Sequence, residues 1–439
     1  MAKITNISGF PEYLPEQKRI EDEIIRKIRR VYESHGFAAM ETPAVELMST
    51  LLQKGLPDKE LYTLRRLRED DAGKEAELAL HFDLTVPLAR YVAQHHAQLT
   101  FPFRRYCLQK VWRGERPQKG RYREFAQFDI DIIARDSLPL CCDAEVLTVF
   151  CKAFREMNVV KFLMRLNNRK VLAGLYESLG IPSEKSPEII RVVDKLNKIG
   201  PSGVAQELTS VVGIASEQAE QILEWATKSC SATDVAAFLE SLGVTAPLFQ
   251  EGARDLVGIV ALIPADLRPY IQIDLSLARG LDYYTGIIFE VVLPDHPAFG
   301  SVAAGGRYED LAEHFLKGHS LPAVGGSFGL GRFMGLVADA QLVKPTKQCP
   351  TDILFSMYSD ASLEGLVRLA DRVRALGANA EVYYRPAKLG KQIEYAVAKG
   401  IRYIGFVDEE TGALSVKDLD TKEQILVDDL DGWVRGHLL

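Results

Sequence analysis

The chain has 439 residues, of which 47% are hydrophobic and 26% charged, and its formal net charge is −7 at pH 7. That is the composition of an ordinary globular protein of roughly two to three domains. With a pI near 5.8 it excludes a general nucleic-acid coat, though not a local basic groove. The first ten residues, MAKITNISGF, lack the apolar stretch of a secretory signal. The longest apolar run, 256–263, is far short of the ~20 residues a membrane helix needs. Six cysteines show no C-x-x-C spacing and read as reduced thiols, and no histidine spacing suits a metal. A cytoplasmic protein outside the membrane is expected.

Residues 13–35 predict an amphipathic helix, with Ile20, Ile24, Ile25, Ile28, Val31 and Tyr32 on one face and Gly36 ending it. FAAMETPAVE then reads as extended, and Pro43 inside it implies an edge or interface strand. Residues 61–67 and 75–82 read as paired strands about a charged turn. In HFDLTVPLARYVAQHH, Asp83 and Thr85 stand just before a helix opened by Pro87. On local pattern alone both are capping residues.

The most informative stretch is 103–133. Between Arg104 and Arg123 it holds eight basic residues and one acid, Glu115. CLQKVW and REFAQFDIDII flank Pro117-Gln118-Lys119-Gly120 and both read as strand, so a hairpin with a basic loop is expected. Guanidinium groups on such a frame suit a nucleotide phosphate. Gln127 and Asp131 stand four apart on the second strand, so alternation puts them on one face.

A helix over 143–157 and a strand at VKFLMRLN follow. Residues 168–265 read as an inserted helical subdomain with no catalytic constellation. Strand signals resume at Tyr270, and ARGLDYYTG places Arg279, Tyr283 and Tyr284 at a glycine-containing bend. AAGGRYEDL turns sharply before Arg307 and Tyr308, and AVGGSFGLGRFMGLV runs from strand to helix with Arg332 at the junction. None of these glycine clusters is a Walker A loop or a strand-to-helix G-x-G-x-x-G with a later acid. After a linker at 341–351, residues 352–439 alternate strand and helix as a compact α/β unit. It carries 11 basic and 15 acidic residues, so net charge does not mark it as an RNA binder.

Taken together, these motifs resemble the class II aminoacyl-tRNA synthetases, and within them the histidyl-tRNA synthetase family. Phe37 to Glu46 with Pro43 is similar to motif 1, Arg113-Gly114-Glu115 through Asp131 to motif 2, and Gly329-Leu330-Gly331-Arg332 to motif 3. These three give only the class. ARGLDYYTG and AGGRYEDL resemble the two signatures peculiar to the histidine enzymes; DKLNKIG and RPAKLGKQIEYAVAKGIRYI are also similar to family segments. The resemblance implies an α+β architecture. It comprises an antiparallel catalytic domain at 1–340, with the 168–265 insertion over the tRNA acceptor arm, and an anticodon-binding α/β domain at 352–439.

The resemblance also implies roles. Arg113 and Arg332 would grip ATP phosphates, with Glu115, Arg121 and Arg123 beside them and Phe125 against the adenine. Arg279 would contact the α-phosphate and, with Arg113, carry catalysis. Asp83, Thr85 and Gln127 would hold the α-amino group of histidine. Asp131 and Tyr284 would face the imidazole, with Tyr283 and Tyr308 lining the pocket. Pro43 would lie in a homodimer interface, ATP would come with Mg²⁺, and tRNA(His) would be the acceptor. Two departures stand out. Asp83 and Asp131 occupy positions where many bacterial members carry glutamate, and Gly331 replaces the glutamate common in motif 3. The competing expectation is the synthetase-like regulatory subunit of ATP phosphoribosyltransferase; the arginines and the last ~90 residues disfavour it.

Overall fold

The computed structural model describes residues 5–52, 60–66, 76–278, 284–309, 315–316, 318–344 and 347–439. Its contacts divide the chain into two units, Met1–Pro11 with Ile25–Leu342 and Glu12–Ile24 with Val343–Leu439. No described helix is long and apolar enough to cross a membrane.

In chain order, helix α1 (Pro15–Ser34) leads to strands β1 (Ala38–Ala39) and β2 (Val45–Leu47) and the short helix α2 (Met48–Leu51). Strands β3 (Thr63–Leu64) and β4 (Leu78–Leu80) precede α3 (Thr85–His95). The expected hairpin is β5 (Phe103–Trp112) with β6 (Glu124–Ile133), paired antiparallel over the full length of both strands. Then come α4 (Leu140–Met157), β7 (Leu163–Asn168), and helices α5 (Arg169–Ser178), α6 (Ser186–Val193), α7 (Leu196–Glu207) and α8 (Ser216–Trp225). Strand β8 (Ser229–Ser231), α9 (Val235–Ser241) and α10 (Pro247–Leu262) follow, then β9 (Ile271–Asp274), β10 (Tyr284–Val292), β11 (Ala303–Tyr308), β12 (Ala323–Phe328) and α11 (Leu330–Asp339).

These strands form one nine-stranded sheet, β1-β5-β6-β12-β11-β10-β7-β9-β8. The six central strands, β5 to β7 in that order, are antiparallel throughout. Period-two alternation gives the sheet two unlike faces. One carries Phe128, Phe289 and Phe328 against Tyr32, Phe150 and Phe154 of α1 and α4, at ring separations of 4.9–5.4 Å. Gly305 and Gly326 face the same way, where a Cβ on Gly326 would come within 2.6 Å of Phe289. The opposite face carries Arg105, Gln127, Asp129, Asp131, Gly325, Ser327 and Tyr308.

The insertion is helical, with one exception that the periodicity does not reveal. Strand β8 returns to the large sheet and pairs with β9 at its edge. Helices α5 and α10 cross closely because two glycines allow it. A Cβ on Gly174 would lie 2.2 Å from the Phe249 nitrogen, and one on Gly252 would lie 2.7 Å from the Val171 nitrogen.

A separate three-stranded sheet, β2-β4-β3, carries apolar residues that water reaches. Leu47 and Leu64 both pair with Leu78, and Leu47 and Leu78 are 52% and 43% exposed. Pro43 is exposed on the segment that enters this sheet. The charged turn expected at its far end falls outside the described residues.

In the C-terminal unit, β13 (Ile353–Phe355), α12 (Leu363–Ala375), β14 (Ala380–Val382), α13 (Leu389–Lys399) and β15 (Tyr403–Val407) follow the expected alternation. Beyond it, β16 (Leu414–Asp418) and β17 (Gln424–Leu426) extend the sheet to five strands, and α14 (Leu430–His437) closes the chain. Trp433 of α14 packs edge-on to Tyr403, sealing this unit's own core.

Candidate active site

A cleft of about 490 Å³ opens on the polar face of the large sheet. Asp83, Thr85, Arg113, Glu115, Arg121, Phe125, Gln127, Asp131, Tyr284, Tyr308 and Arg332 all line it. These residues span some 250 positions of sequence, and the sheet brings them together. Arg123 does not line it. Its Nε donates to the Glu115 carbonyl at 3.1 Å and its backbone nitrogen to Gly9, so it ties the hairpin loop to the N-terminal segment instead. Pro43 is likewise not among the lining residues. Arg279 and Tyr283 fall outside the described residues. Asn167 Nδ2 donates to the Leu277 carbonyl at 3.0 Å.

The cleft is rich in acceptors. Asp83 Oδ1 takes the backbone N–H groups of Thr85 and Val86, both at 3.1 Å, and so opens α3 as a capping residue would. Its Oδ2 is buried without a hydrogen-bond partner among the described residues, as are Gln127 Oε1 and Asp129 Oδ1. Gln127 Nε2 donates to Ser327 Oγ. Buried acceptors are ordinarily satisfied, so three lacking partners in one cleft call for a ligand rich in N–H donors, such as an ammonium group. Asp83 thus serves both readings of the sequence, with one oxygen for each.

Asp131 lies alongside, accepting from Tyr308 Oη at 2.8 Å and paired with Arg105 at 2.6 Å. Burial pushes the Asp129 carboxyl up to about 7 and that of Asp131 to about 6, with Arg105 pulling both back down. Burial also raises Asp83, against the Val86 N–H and Arg113.

The cleft also holds three arginines with fixed partners. The Arg113 guanidinium lies 4.4 Å from the Phe82 ring and 5.1 Å from the Phe125 ring, and its Nε donates to the Phe82 carbonyl at 3.2 Å. Arg332 Nε donates to the Gly120 carbonyl at 3.1 Å, and its Nη1 to that of Ser301. Arg121 pairs with Glu115 at 3.2 Å. Gly331 has a packing reason to be glycine. A Cβ there would sit 2.7 Å from the Phe125 Cβ, so α11 could not approach β6 this closely with a glutamate in that position.

Several cleft residues are not singled out by the sequence reading: Asp129, Ser327, Gly325, Glu60, Tyr122, Asp194 and Lys198. The alternation that pairs Gln127 with Asp131 also contains Asp129, so that signal was present in the sequence. Arg105, behind Asp131, required the register Arg105↔Asp131, which no sequence pattern supplies.

The family profile described as "Histidyl-tRNA synthetase" matches residues 9–333, and that described as "Anticodon binding domain" matches 353–435. A histidine–tRNA ligase of Thermobifida fusca is 44% identical over 97% of each chain. One of Micrococcus luteus is 41% identical over 98% of this chain and 96% of its own. Among solved structures, histidyl-tRNA synthetase from Nostoc sp. PCC 7120 superposes with a TM-score of 0.89 at 35% identity, covering 100% of both chains. A protein of Bacillus halodurans titled ATP phosphoribosyltransferase regulatory subunit/histidyl-tRNA synthetase shares the fold, with a TM-score of 0.73 at 18% identity over 89% of this chain and 96% of its own.

Proposed function

The chain belongs to the histidyl-tRNA synthetase family and ligates histidine to tRNA(His) using ATP, and on that premise we propose which residues do which part. Asp83, Thr85 and Gln127 hold the α-ammonium group of histidine, with Asp129 beside them. Asp131 and Tyr284 read the two imidazole nitrogens, one as acceptor and one as donor, while Tyr283 and Tyr308 wall the ring. Arg113 and Arg332 bind the ATP phosphates, with Glu115, Arg121 and Phe125 around the nucleotide, and Arg279 meets the α-phosphate. Arg123 contributes by holding the loop. Mg²⁺ enters with ATP as part of the substrate.

The observation that carries this reading is that one cleft holds three unsatisfied buried acceptors together with guanidinium groups held against aromatic rings and backbone carbonyls. An amino acid laid along it presents its ammonium to the acceptors and its carboxylate toward the phosphates. The carboxylate attacks the α-phosphorus and pyrophosphate leaves; the terminal ribose hydroxyl of tRNA then takes the acyl group and AMP leaves. Neither step needs an enzyme nucleophile. Orientation and positive charge around the phosphorus supply the acceleration.

Residues 1–340 form the catalytic domain, the 168–265 insertion lies over the acceptor arm, and 352–439 bind the anticodon. Pairing of two copies through the segment around Pro43 would cover the apolar stripe of Leu47, Leu64 and Leu78. A cytoplasmic location follows from the substrates. The test is ATP–pyrophosphate exchange with a panel of amino acids. Histidine alone should support it; a protein that binds histidine without exchange would be a sensor rather than a ligase.

A further inference from the structure

We infer that Arg105 is the positioning residue for the carboxylate that reads the substrate's ring, and through it a determinant of ring specificity. The inference rests on the assignment of Asp131 to the imidazole. Arg105 is 1% exposed and stands directly across the hairpin from Asp131. One of its terminal nitrogens lies 2.6 Å from Asp131 Oδ2 and 3.4 Å from the Leu84 carbonyl. Tyr308, from β11, donates to the other oxygen, Oδ1, at 2.8 Å. From β12, a Cβ on Gly325 would lie 1.9 Å from that oxygen, so the carboxylate rests against bare backbone.

A guanidinium from one strand, a hydroxyl donor from a second and a wall from a third leave the Asp131 carboxylate one orientation. Each oxygen keeps a further lone pair. Asp131 lines the cleft and Arg105 does not, so the guanidinium holds the carboxylate from behind without touching the ligand. A buried ion pair contributes little net stability over an apolar pair of the same volume. What this pair supplies is an oriented anion facing the ligand's ring N–H. Among the described residues, the other ionisable groups facing Asp131 are Tyr308 from β11, Asp83 before α3 and Asp129 on its own strand, none of them cationic.

The experiment is ATP–pyrophosphate exchange by wild type, Arg105→Lys and Arg105→Met, with 3-(2-thienyl)alanine, whose ring has no N–H, as a competitive inhibitor. Lysine keeps the charge on a shorter side chain, so its nitrogen does not reach the Asp131 oxygen and the Leu84 carbonyl as Arg105 does; the KM for histidine should rise ~10-fold with kcat and the KM for ATP changed less than ~2-fold. Methionine should lower kcat/KM for histidine by ~100-fold and leave the inhibition constant of thienylalanine unchanged. Its histidine KM should improve as pH rises over roughly pH 6 to 9, because the uncompensated carboxyl ionises later. Wild-type histidine KM and pH profile in Arg105→Lys would overturn the inference, and that variant decides alone if the methionine protein does not fold. Failure of the wild type itself to exchange with histidine would instead overturn the parent reading, and this one with it.

Discussion

Two buried arginine–aspartate pairs sit on opposite faces of the same sheet. Arg307 grips Asp143 at the start of α4, with Nε 3.0 Å from Oδ1 and a second nitrogen on Oδ2, and also donates to the Leu138 carbonyl at 2.9 Å. Arg105 holds Asp131 by one terminal nitrogen, and its Nε has no hydrogen-bond partner among the described residues. The first pair is closed on itself: one guanidinium occupies both carboxylate oxygens, and it fastens a helix to a strand. The second is left open toward the cleft. The same two residue types thus serve as a fastener on the core face and as part of a reading device on the polar face. Burial does not distinguish them; hydrogen-bond saturation does.

The largest effect should come from breaking the fastener. Asp143→Ala leaves a buried guanidinium without its carboxylate and should cost about 3–5 kcal/mol in denaturant unfolding. Exchange per folded molecule should change little; a large loss of exchange would mean that the core pair also shapes the cleft. Next come two adjacent glycines that face opposite ways. Gly325→Ala puts a methyl into the Asp131 carboxylate and should lower exchange with histidine by ~100-fold, the scale of an ångström-sized displacement. Gly326→Ala meets Phe289 and Phe150 instead, so it should cost about 1–3 kcal/mol of stability while the folded fraction stays active. If both variants behaved alike, the division between the faces would be wrong.

The smallest effect is one of pH. Burial raises Asp129 to about 7 and Asp131 to about 6, so both accept protons as pH falls through that window and cease to be anionic acceptors. The KM for histidine in exchange should therefore rise on acidification, by roughly tenfold from pH 8 to 6. Asp129→Asn should move that limb to lower pH. A flat profile would remove both carboxylates from histidine recognition.

Much of this was legible in the chain. The helix expected over 13–35 is α1, and the hairpin expected from two aromatic-rich runs about a basic loop is β5 and β6. Local signals suffice there, because a helical apolar stripe or a strand–turn–strand pattern is a property of a few consecutive residues. Strand β8 was not legible, since three small polar residues have no strand pattern and join the sheet only because β9 offers an edge. Arg123 shows the opposite failure. It belongs to a basic run that does face the cleft in part, yet it is drawn to a backbone carbonyl instead.

The order of residues settles chemistry and period: which side chains can carry charge, which alternate, and which glycines permit a turn. Gln127, Asp129 and Asp131 must share a face of any strand that contains them. Which face becomes core and which becomes cleft depends on how the sheet packs against the helices. So does the placement of Arg105 behind Asp131, and of Gly325 beneath it. Those relations depend on cross-strand register between segments up to about 200 residues apart, as for Asp131 and Gly325. Register is set by the packing of the whole sheet on α4, and no local stretch encodes it.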